Sequence, residues 1–206
     1  MANEYISVAG LKATLSLSEE SYADADIADA IASASRAIDE ACGRRFWLDA
    51  TDQTRYYERL DDDLVVIDDL AAITSIKTDP DGTGTYSGTW TQDTDYVFGP
   101  DNAAADGVPW AAIYRLPAGG HVIPRGKRRI QVIGRFGWPA VPDRVAEATT
   151  IYASRLLKRA REAPFSVAGM GFDGVAIRIP KIDPDIAILL SGLHRSSVGG
   201  NGMGIA

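Results

Sequence analysis

The sequence is poor in the side chains that build most metal and redox sites. Its 206 residues include one cysteine, Cys42, and two histidines, His121 and His194, which stand far apart along the chain. A disulfide within the chain is therefore excluded, and so is a metal cluster held by several cysteines. Burial as a small apolar side chain is the expected role of Cys42.

Long apolar runs are also missing. No stretch approaches the roughly 20 apolar residues that a membrane-spanning helix needs. The opening residues MANEYISVAGLKATL lack the basic start and continuous apolar core of a secretory signal. We therefore expect no membrane partner. Hydrophobic residues at 46% and charged residues at 24% are typical of a globular protein with a core.

Common catalytic and nucleotide-binding motifs are absent or stand in the wrong context. The chain has no G-x-S-x-G, no H-E-x-x-H and no phosphate-binding P-loop. Gly169, Gly171 and Gly174 match G-x-G-x-x-G, but a basic helical pattern and Pro164 precede them where a strand is required. We predict no catalytic residue, no cofactor and no metal, and hence a protein that is not an enzyme.

The clearest secondary-structure signal is a helix from Ser21 to Gly43. Its apolar residues recur at steps of three and four: Ile27, Ile31, Ala34, Ile38 and Ala41. Ser21 followed by Asp24 predicts an N-cap, and Gly43 stands where a helix commonly ends. The stripe is narrow and rich in alanine, so we expect a second helix to pack closely on it.

Three further helices are predicted. A short one at Val8–Leu15 has Ser7 as its cap, and a last one runs from Asp185 to Leu193. The long one starts at Pro142, ends before Pro164 and carries cations in its last turns, which complement the helix dipole. Its apolar stripe consists of Val145, Ala148, Tyr152 and Leu156, continued by Arg159 with Ala160. This stripe is the expected partner of the opening helix.

The middle of the chain has the pattern of short strands. Six segments are rich in β-branched and aromatic residues: Thr54–Leu60, Leu64–Leu70, Ala72–Lys77, Thr94–Phe98, Trp110–Leu116 and Arg129–Phe136. Turn-prone stretches rich in Gly, Pro and Asp separate them. A further strand is predicted at Val175–Ile179, after a glycine-rich connector.

These patterns predict an α+β fold. A small helical bundle is built from the N- and C-terminal segments, residues 1–48 and 137–195, and an antiparallel β-rich insert occupies residues 49–136. Residues 196–206 are small and polar, and we expect a flexible tail there.

Charge is unevenly distributed along the chain. Residues 1–110 contain 22 acidic and 7 basic residues, whereas residues 111–206 contain 6 acidic and 14 basic ones. Such asymmetry suits ordered contact between copies, although halves of a sequence need not be halves of a structure. The densest basic run, Arg125 to Arg129, leaves a second function open, because a basic patch can neutralise DNA phosphates.

Three segments, in their order along the chain, resemble one protein family. The first runs from Tyr5 to Phe46 and contains Asp26, Ile27, Ala30, Ile31, Ser33, Ala34, Ile38, Gly43 and Arg44 in the family's arrangement. The second is Phe136-Gly137-Trp138 with Val141-Pro142 and the long helix ending in Arg155-Leu156-Leu157-Lys158-Arg159. The third is Val175–Arg195, with Asp183-Pro184. Together they resemble the head-tail connector (adaptor) proteins of tailed bacteriophages, over about half of the chain and outside its β-rich middle.

The resemblance implies a structural virion protein. Such proteins form a ring, usually of twelve copies, under the capsid portal, and they bridge it to the next connector or the tail. Double-stranded DNA passes through the ring without sequence-specific binding. The implied partners are the portal protein, a further connector or tail-completion protein and other copies of the chain. The implied location is the head-tail interface of the virion, and the host cytoplasm before assembly. Another connector or tail-terminator component of the same particle is the alternative.

On this interpretation three sets of residues belong to assembly surfaces. Portal docking is assigned to Ile186, Leu189, Leu190, Leu193 and Arg195. Contact with the neighbouring subunit is assigned to Asp24, Asp29, Arg36 and Glu40. The channel lining is assigned to Asp61, Asp62, Asp63 and Asp68, because negative charge there would keep DNA from sticking. The alternative for the leucines is that they cover the protein's own helical bundle.

Overall fold

The computed structural model describes residues 3–15, 22–162 and 184–195. Helices and an antiparallel sheet are both present, which confirms the α+β class. The chain divides into two compact units, one formed by residues up to Phe46 and from Val141 on, and the other by Trp47–Ala140. We call them the helical unit and the β unit. The predicted strand Val175–Ile179, the glycine-rich connector and the tail from residue 196 lie outside the described residues.

The helical unit contains four of the five α-helices found in the described residues. They are α1 (Val8–Leu15), α2 (Asp24–Cys42), α4 (Asp143–Glu162) and α5 (Pro184–Leu190); the short α3 (Ala103–Asp106) belongs to the β unit. In this unit α2 packs on α4, α5 packs on α4, and α1 contacts both long helices. Among the described residues no helix combines the length and the apolar content that a membrane span requires.

The predicted stripe on α2 is largely confirmed. Ile27, Ile31, Ala34 and Ile38 are all buried. Ala41 was expected to end the stripe, but it is only partly buried and Cys42 takes its place in the core. A heptad spacing drifts by about 20° per heptad on a straight α-helix, about 40° from Ile27 to Ala41, so the end of the stripe turns away from the buried face.

The stripe on α4 was predicted one position out of place in its second half. Val145 and Ala148 are buried as expected, but Tyr152 and Leu156 lie at the edge of the core. The residues that follow them, Ala153 and Leu157, are the buried ones, and they pack with the isoleucines of α2 and with Leu11 of α1. Small Ala153 lets the two long helices approach closely there.

The helix ends combine confirmed and wrong predictions. Gly43 adopts the left-handed conformation, with φ of 63°. Its N–H and that of Arg44 donate to the carbonyls of Glu40 and Asp39, the pattern of a Schellman motif. Ser7 also caps α1 as predicted, since its hydroxyl accepts the N–H of Gly10 at 3.0 Å.

The predicted N-cap of α2 is wrong. The helix begins at Asp24, after an extended Ala23 that forms no side-chain cap, whereas Ser21 lies outside the described residues. Asp24 and Asp26 in the first turn place negative charge next to the free N–H groups, at the positive end of the helix dipole. This favourable interaction compensates for the missing cap.

The β unit is built on a six-stranded antiparallel sheet. Its strands are β1 (Gln53–Tyr57), β2 (Leu64–Thr78), β3 (Gly88–Trp90), β4 (Tyr96–Gly99), β5 (Trp110–Arg115) and β6 (Ile130–Phe136). The order is β1-β6-β2-β5-β4, and β3 pairs with the end of β2. The predicted segments at β1, β4, β5 and β6 are confirmed, whereas β3 and α3 were not predicted.

Two of the predicted strands are in fact one. Leu64–Leu70 and Ala72–Lys77 join in β2, which pairs with β5 through its first half and with β6 through its second. Its register shifts between Leu70 and Ala72 and again between Ile73 and Ser75. Such irregularities bend a strand, so a single long strand serves two neighbours.

The two ends of the β unit lie side by side. The N–H of Asp49 donates to the carbonyl of Phe136 at 2.9 Å, and the N–H of Gly137 donates to the carbonyl of Asp69 at 2.8 Å. Gly137 has a φ of 116°, and a Cβ atom placed on it would lie 2.0 Å from the carbonyl oxygen of Trp47. Only glycine fits this crossing of the two chain segments.

Gly137→Ala should therefore lower the free energy of unfolding of the β unit by at least about 3 kcal/mol, because both the backbone angle and the space exclude a side chain. Tryptophan fluorescence during urea unfolding measures this, since all four tryptophans lie in the β unit. Gly107→Ala is the matched control: Gly107 also has a positive φ, 67°, but open space around it, and about 1–2 kcal/mol is expected. Equal losses in both variants would contradict the close approach.

Candidate functional site

The described residues hold no group of three or more His, Cys, Asp or Glu side chains placed to bind a metal ion. The two histidines are in different units. His121 stacks on Trp90 and lies 3.7 Å from Asp95, whereas His194 lies 3.2 Å from the carbonyl of Ala41. The three sets of residues predicted as assembly surfaces lie in different parts of the chain: on α2, on and after α5, and at the turn of residues 61–63 with Asp68 on β2.

The set assigned to subunit contact lies on the exposed side of α2. Asp29 and Glu40 are exposed and take part in no ion pair within the described parts of the chain. Asp24 pairs with Lys12 of α1. Arg36 lies 3.1 Å from Asp39 and donates to the carbonyl of Asn3 at 2.7 Å. Asp29 and Glu40 are thus available to a partner, while Asp24 and Arg36 also hold the helical unit together.

A buried network beneath this face was not predicted. The hydroxyl of Tyr5 donates to Asp39 and accepts the N–H of Phe46 at 2.9 Å. The N–H of Tyr5 donates to Ser35 at 3.3 Å. Burial raises the pKa of Tyr5 well above its ordinary value, and the bond to Asp39 adds to this. Burial also raises the pKa of Asp39, against the lowering effects of Tyr5 and Arg36.

This network joins three pieces of chain. Tyr5 precedes α1, Asp39 lies in the last turn of α2, and Phe46 is the last residue of the first segment of the helical unit. No sequence signal reveals it, because the partners are 34 and 41 residues from Tyr5. The network ties the chain before α1 and the chain after α2 to the last turn of α2.

The set assigned to portal docking lies on and after α5. The helix ends at Leu190, earlier than the predicted Leu193, and Gly192 with φ of 78° follows it. Ile186, Leu190 and Leu193 are buried, Leu189 is half-buried and Arg195 is exposed. The large apolar side chain that α5 leaves exposed is Ile188, at 70%.

Polar contacts hold α5 to α4. Arg155 lies 3.7 Å from Asp185, and Arg144 donates to the carbonyl of Ser191 at 3.3 Å. Beyond α5, the N–H of Arg195 donates to the carbonyl of Cys42 at 2.9 Å. The segment is thus packed onto its own unit by three side chains of the predicted set, and Ile188 stays exposed.

The acidic set assigned to the channel is paired with arginines. Asp62 lies 2.6 Å from Arg59, and Asp63 accepts a hydrogen bond of 2.6 Å from Arg115. Asp61 accepts the N–H of Asp62. Asp68 lies apart from this turn on β2, where Arg55 at 2.7 Å and the hydroxyl of Tyr57 at 3.0 Å contact it. The surface around the turn, residues 61–63, is therefore of mixed charge, with exposed carboxylates.

The turn after β2 is organised by one buried carboxylate. Asp79 accepts the N–H groups of Gly82, Thr83 and Gly84 at 2.9–3.2 Å, and Arg129 lies 3.7 Å away. Desolvation raises the pKa of this carboxyl, but the three N–H groups and the Arg129 guanidinium outweigh it. The net result is a pKa below the ordinary value.

Two solved structures share the fold over nearly the whole chain. A chain from the neck of an empty GTA particle, computed with C6 symmetry, matches with a TM-score of 0.53 and 18% identity, covering 95% of this chain and 93% of that one. A chain from the neck of a native GTA particle, computed with C12 symmetry, matches with a TM-score of 0.51 and 17% identity, covering 97% and 98%. At these identities the likeness shows a common fold. No protein-family model and no curated protein matches the chain.

Tyr5→Phe should lower the free energy of unfolding of the helical unit by about 1–3 kcal/mol, because it removes two hydrogen bonds from a buried site. Far-ultraviolet circular dichroism during urea unfolding follows this unit, which contains the four longer helices. Tyr152→Phe is the control, since Tyr152 lies at the edge of the same core. A loss no larger than that of the control would show that the network contributes nothing.

The lowered pKa of Asp79 predicts an acid-sensitive β unit. A carboxyl with a depressed folded-state pKa contributes stability above its ordinary value of about 3.9, and this stability is lost as the pH falls below that value. The urea midpoint from tryptophan fluorescence should fall as the pH goes from about 4 to about 2, and less steeply in Asp79→Asn. Asp81→Asn, in the same turn, should follow the wild type. Parallel curves for the wild type and Asp79→Asn would refute the assignment.

Proposed function

We propose that this protein is a structural component of the neck of a phage-like particle, where it forms a ring as a head-tail connector. The observation that supports this most is the fold shared, over more than nine-tenths of both chains, with chains from the neck of GTA particles. Those particles were computed with C6 and C12 symmetry, which fits a ring of twelve copies here. The connector resemblance of the helical segments points the same way and rests on different observations.

The ring contact is proposed to involve the exposed side of α2. Asp29 and Glu40 lie eleven residues apart, about three helical turns, so both point to the same side of the helix. Neither is engaged by a cation within the described residues. Below them the Tyr5 network holds the backbone in place, so a neighbouring copy would meet a preformed surface and little ordering entropy would be lost.

Docking to the portal is proposed for the segment that starts with α5. Ile188, with half-buried Leu189, is the apolar contact that this segment offers in the free chain. The buried members of the predicted set, Ile186, Leu190 and Leu193, would hold the helix in shape for docking. Arg195 adds an exposed cation beside them.

The acidic turn at Asp61, Asp62 and Asp63 is proposed to face the DNA channel. Its carboxylates are exposed, and its arginine partners keep the turn in one conformation. Exposed carboxylates repel the phosphates of passing DNA, so the DNA would not adhere. Asp68, which lies apart from the turn on β2 and contacts Arg55 and Tyr57, is the fourth carboxylate proposed to line the channel.

On this proposal the protein does no catalysis. It acts in the virion at the head-tail interface, and before assembly it is in the host cytoplasm. Its partners are the portal protein, a further connector or tail-completion protein and other copies of itself. A different position in the same neck, such as that of another connector or a tail terminator, is the alternative.

Electron microscopy of the protein mixed with its portal protein tests the proposal. A ring of this chain stacked on the portal is the expected result, and a monomer that does not bind the portal would overturn the proposal.

Ile188→Asp should weaken portal attachment at least about tenfold, because it places a charge in the proposed apolar contact. Ala187→Asp, at the neighbouring exposed position of α5, is the matched control and should have a smaller effect. Intact attachment after deletion of residues 183–206 would refute the docking segment alone.

A further inference from the structure

One part of the β unit is not used by the proposed function. The loop before β6 carries the basic run that the sequence singles out, and it borders a surface cleft of about 520 Å³. We call this the basic cleft; its lining includes Tyr56, Tyr86, Gly126, Lys127, Arg128 and Arg129. Two aromatic rings and three cations meet there, although they come from three separate segments of the chain.

Arg128 is held in an unusual conformation at the edge of the basic cleft. Its φ is 56°, in the left-handed region that a non-glycine residue seldom occupies. The hydroxyl of Tyr86 donates to the carbonyl of Arg128 at 2.7 Å and so fixes the backbone. The guanidinium carbon lies 4.4 Å from the centre of the Tyr56 ring, which in turn packs on Tyr86 at 5.4 Å. A strained backbone and a stacked side chain together hold one cation in a defined place.

The charges of the run are not equivalent. The Arg129 guanidinium lies 3.7 Å from the carboxylate of Asp79 and donates a hydrogen bond of 3.2 Å to the backbone carbonyl of Asp79. Arg125 is 81% exposed and lies 3.8 Å from Asp62. Lys127 and Arg128 are exposed and take part in no ion pair among the described residues. Two adjacent cations are therefore available for a ligand.

We propose that the basic cleft binds phosphate groups of the backbone of duplex DNA. A guanidinium held over the face of a tyrosine ring still has N–H groups to donate, and these suit the oxygens of a phosphate. Lys127 supplies a second charge beside it, as neighbouring phosphates require. Contacts of this kind are made to the backbone alone, so the binding is independent of base sequence.

Duplex DNA fits these observations better than an acidic protein surface does. Lys127 and Arg128 are adjacent in the chain, both line the basic cleft and both are exposed, so they can meet neighbouring phosphates of one DNA strand. The net charge of −7 and the exposed Asp81 in the facing turn limit the contact to a few phosphates. A weak and local contact lets DNA move past. The inference rests on the proposed function only for the source of the DNA; the binding is a property of this chain.

Fluorescence anisotropy of a labelled 30-base-pair duplex of mixed sequence, titrated with the full chain, tests this. Binding is expected at 50 mM NaCl and should weaken about twelvefold at 200 mM, the dependence for about two phosphate contacts. A second duplex of unrelated sequence should bind equally well.

Lys127→Glu with Arg128→Glu should reduce the affinity for the duplex at least about tenfold, and Asp81→Asn should increase it. Lys127→Glu alone changes an exposed side chain and keeps Arg128. A loss of affinity in this variant therefore does not come from a disturbance of the loop around Arg128.

The matched control is Lys158→Glu with Arg159→Glu, which changes the net charge equally at two exposed positions on α4. Retained binding in this control supports the basic cleft, and an equal loss in both double variants would overturn it. Absence of wild-type binding at 50 mM NaCl would also overturn it. If Lys127→Glu with Arg128→Glu changed the mass of the assembled ring and left duplex binding unaltered, the proposal would also be overturned, because the basic cleft would then contact a second copy of the chain. Ring formation without duplex binding would leave the proposed function standing.

Discussion

The architecture depends on the crossing of two chain segments at Gly137. The β unit occupies the chain between the two halves of the helical unit, so its first and last residues must lie together. Three contacts achieve this: the bond from Asp49 to Phe136, the bond from Gly137 to Asp69, and the approach of Gly137 to the carbonyl of Trp47. The indole of Trp138 adds a bond of 3.3 Å to the carboxylate of Asp69. With the ends of the β unit fixed, α2 and α4 can pack as if they followed each other directly.

Charge in the β unit is paired over long distances in the sequence. Arg115 meets Asp63, and Arg125 approaches Asp62, although more than fifty residues separate the members of each pair. The opposite net charges of the two halves of the sequence are thus partly neutralised by folding. The charges left exposed without an ion pair stand out against this background. They include Asp29 and Glu40 on α2, and Lys127 and Arg128 at the basic cleft, and these are the positions to which partners are assigned.

Local signals were enough to predict the four longer helices and most strands. The isoleucine stripe and Gly43 define α2 because periodicity and the left-handed cap are properties of a few neighbouring residues. The single strand β2 was missed because its bulges interrupt the alternation that marks a strand. The Tyr5 network and the pairing of the acidic turn with arginines were missed for another reason. They join residues that only the fold brings together, and one sequence carries no signal for such pairs.

The proposed role of this chain is to form a ring in the neck of a phage-like particle. The number of copies per particle, measured by quantitative mass spectrometry on purified particles with the portal protein as the internal reference, tests this proposal most directly. About as many copies of this chain as of the portal subunit are expected, and twelve in a ring of the symmetry computed for the native GTA neck. Absence from the particles, or hundreds of copies as for a shell or tube protein, would contradict it.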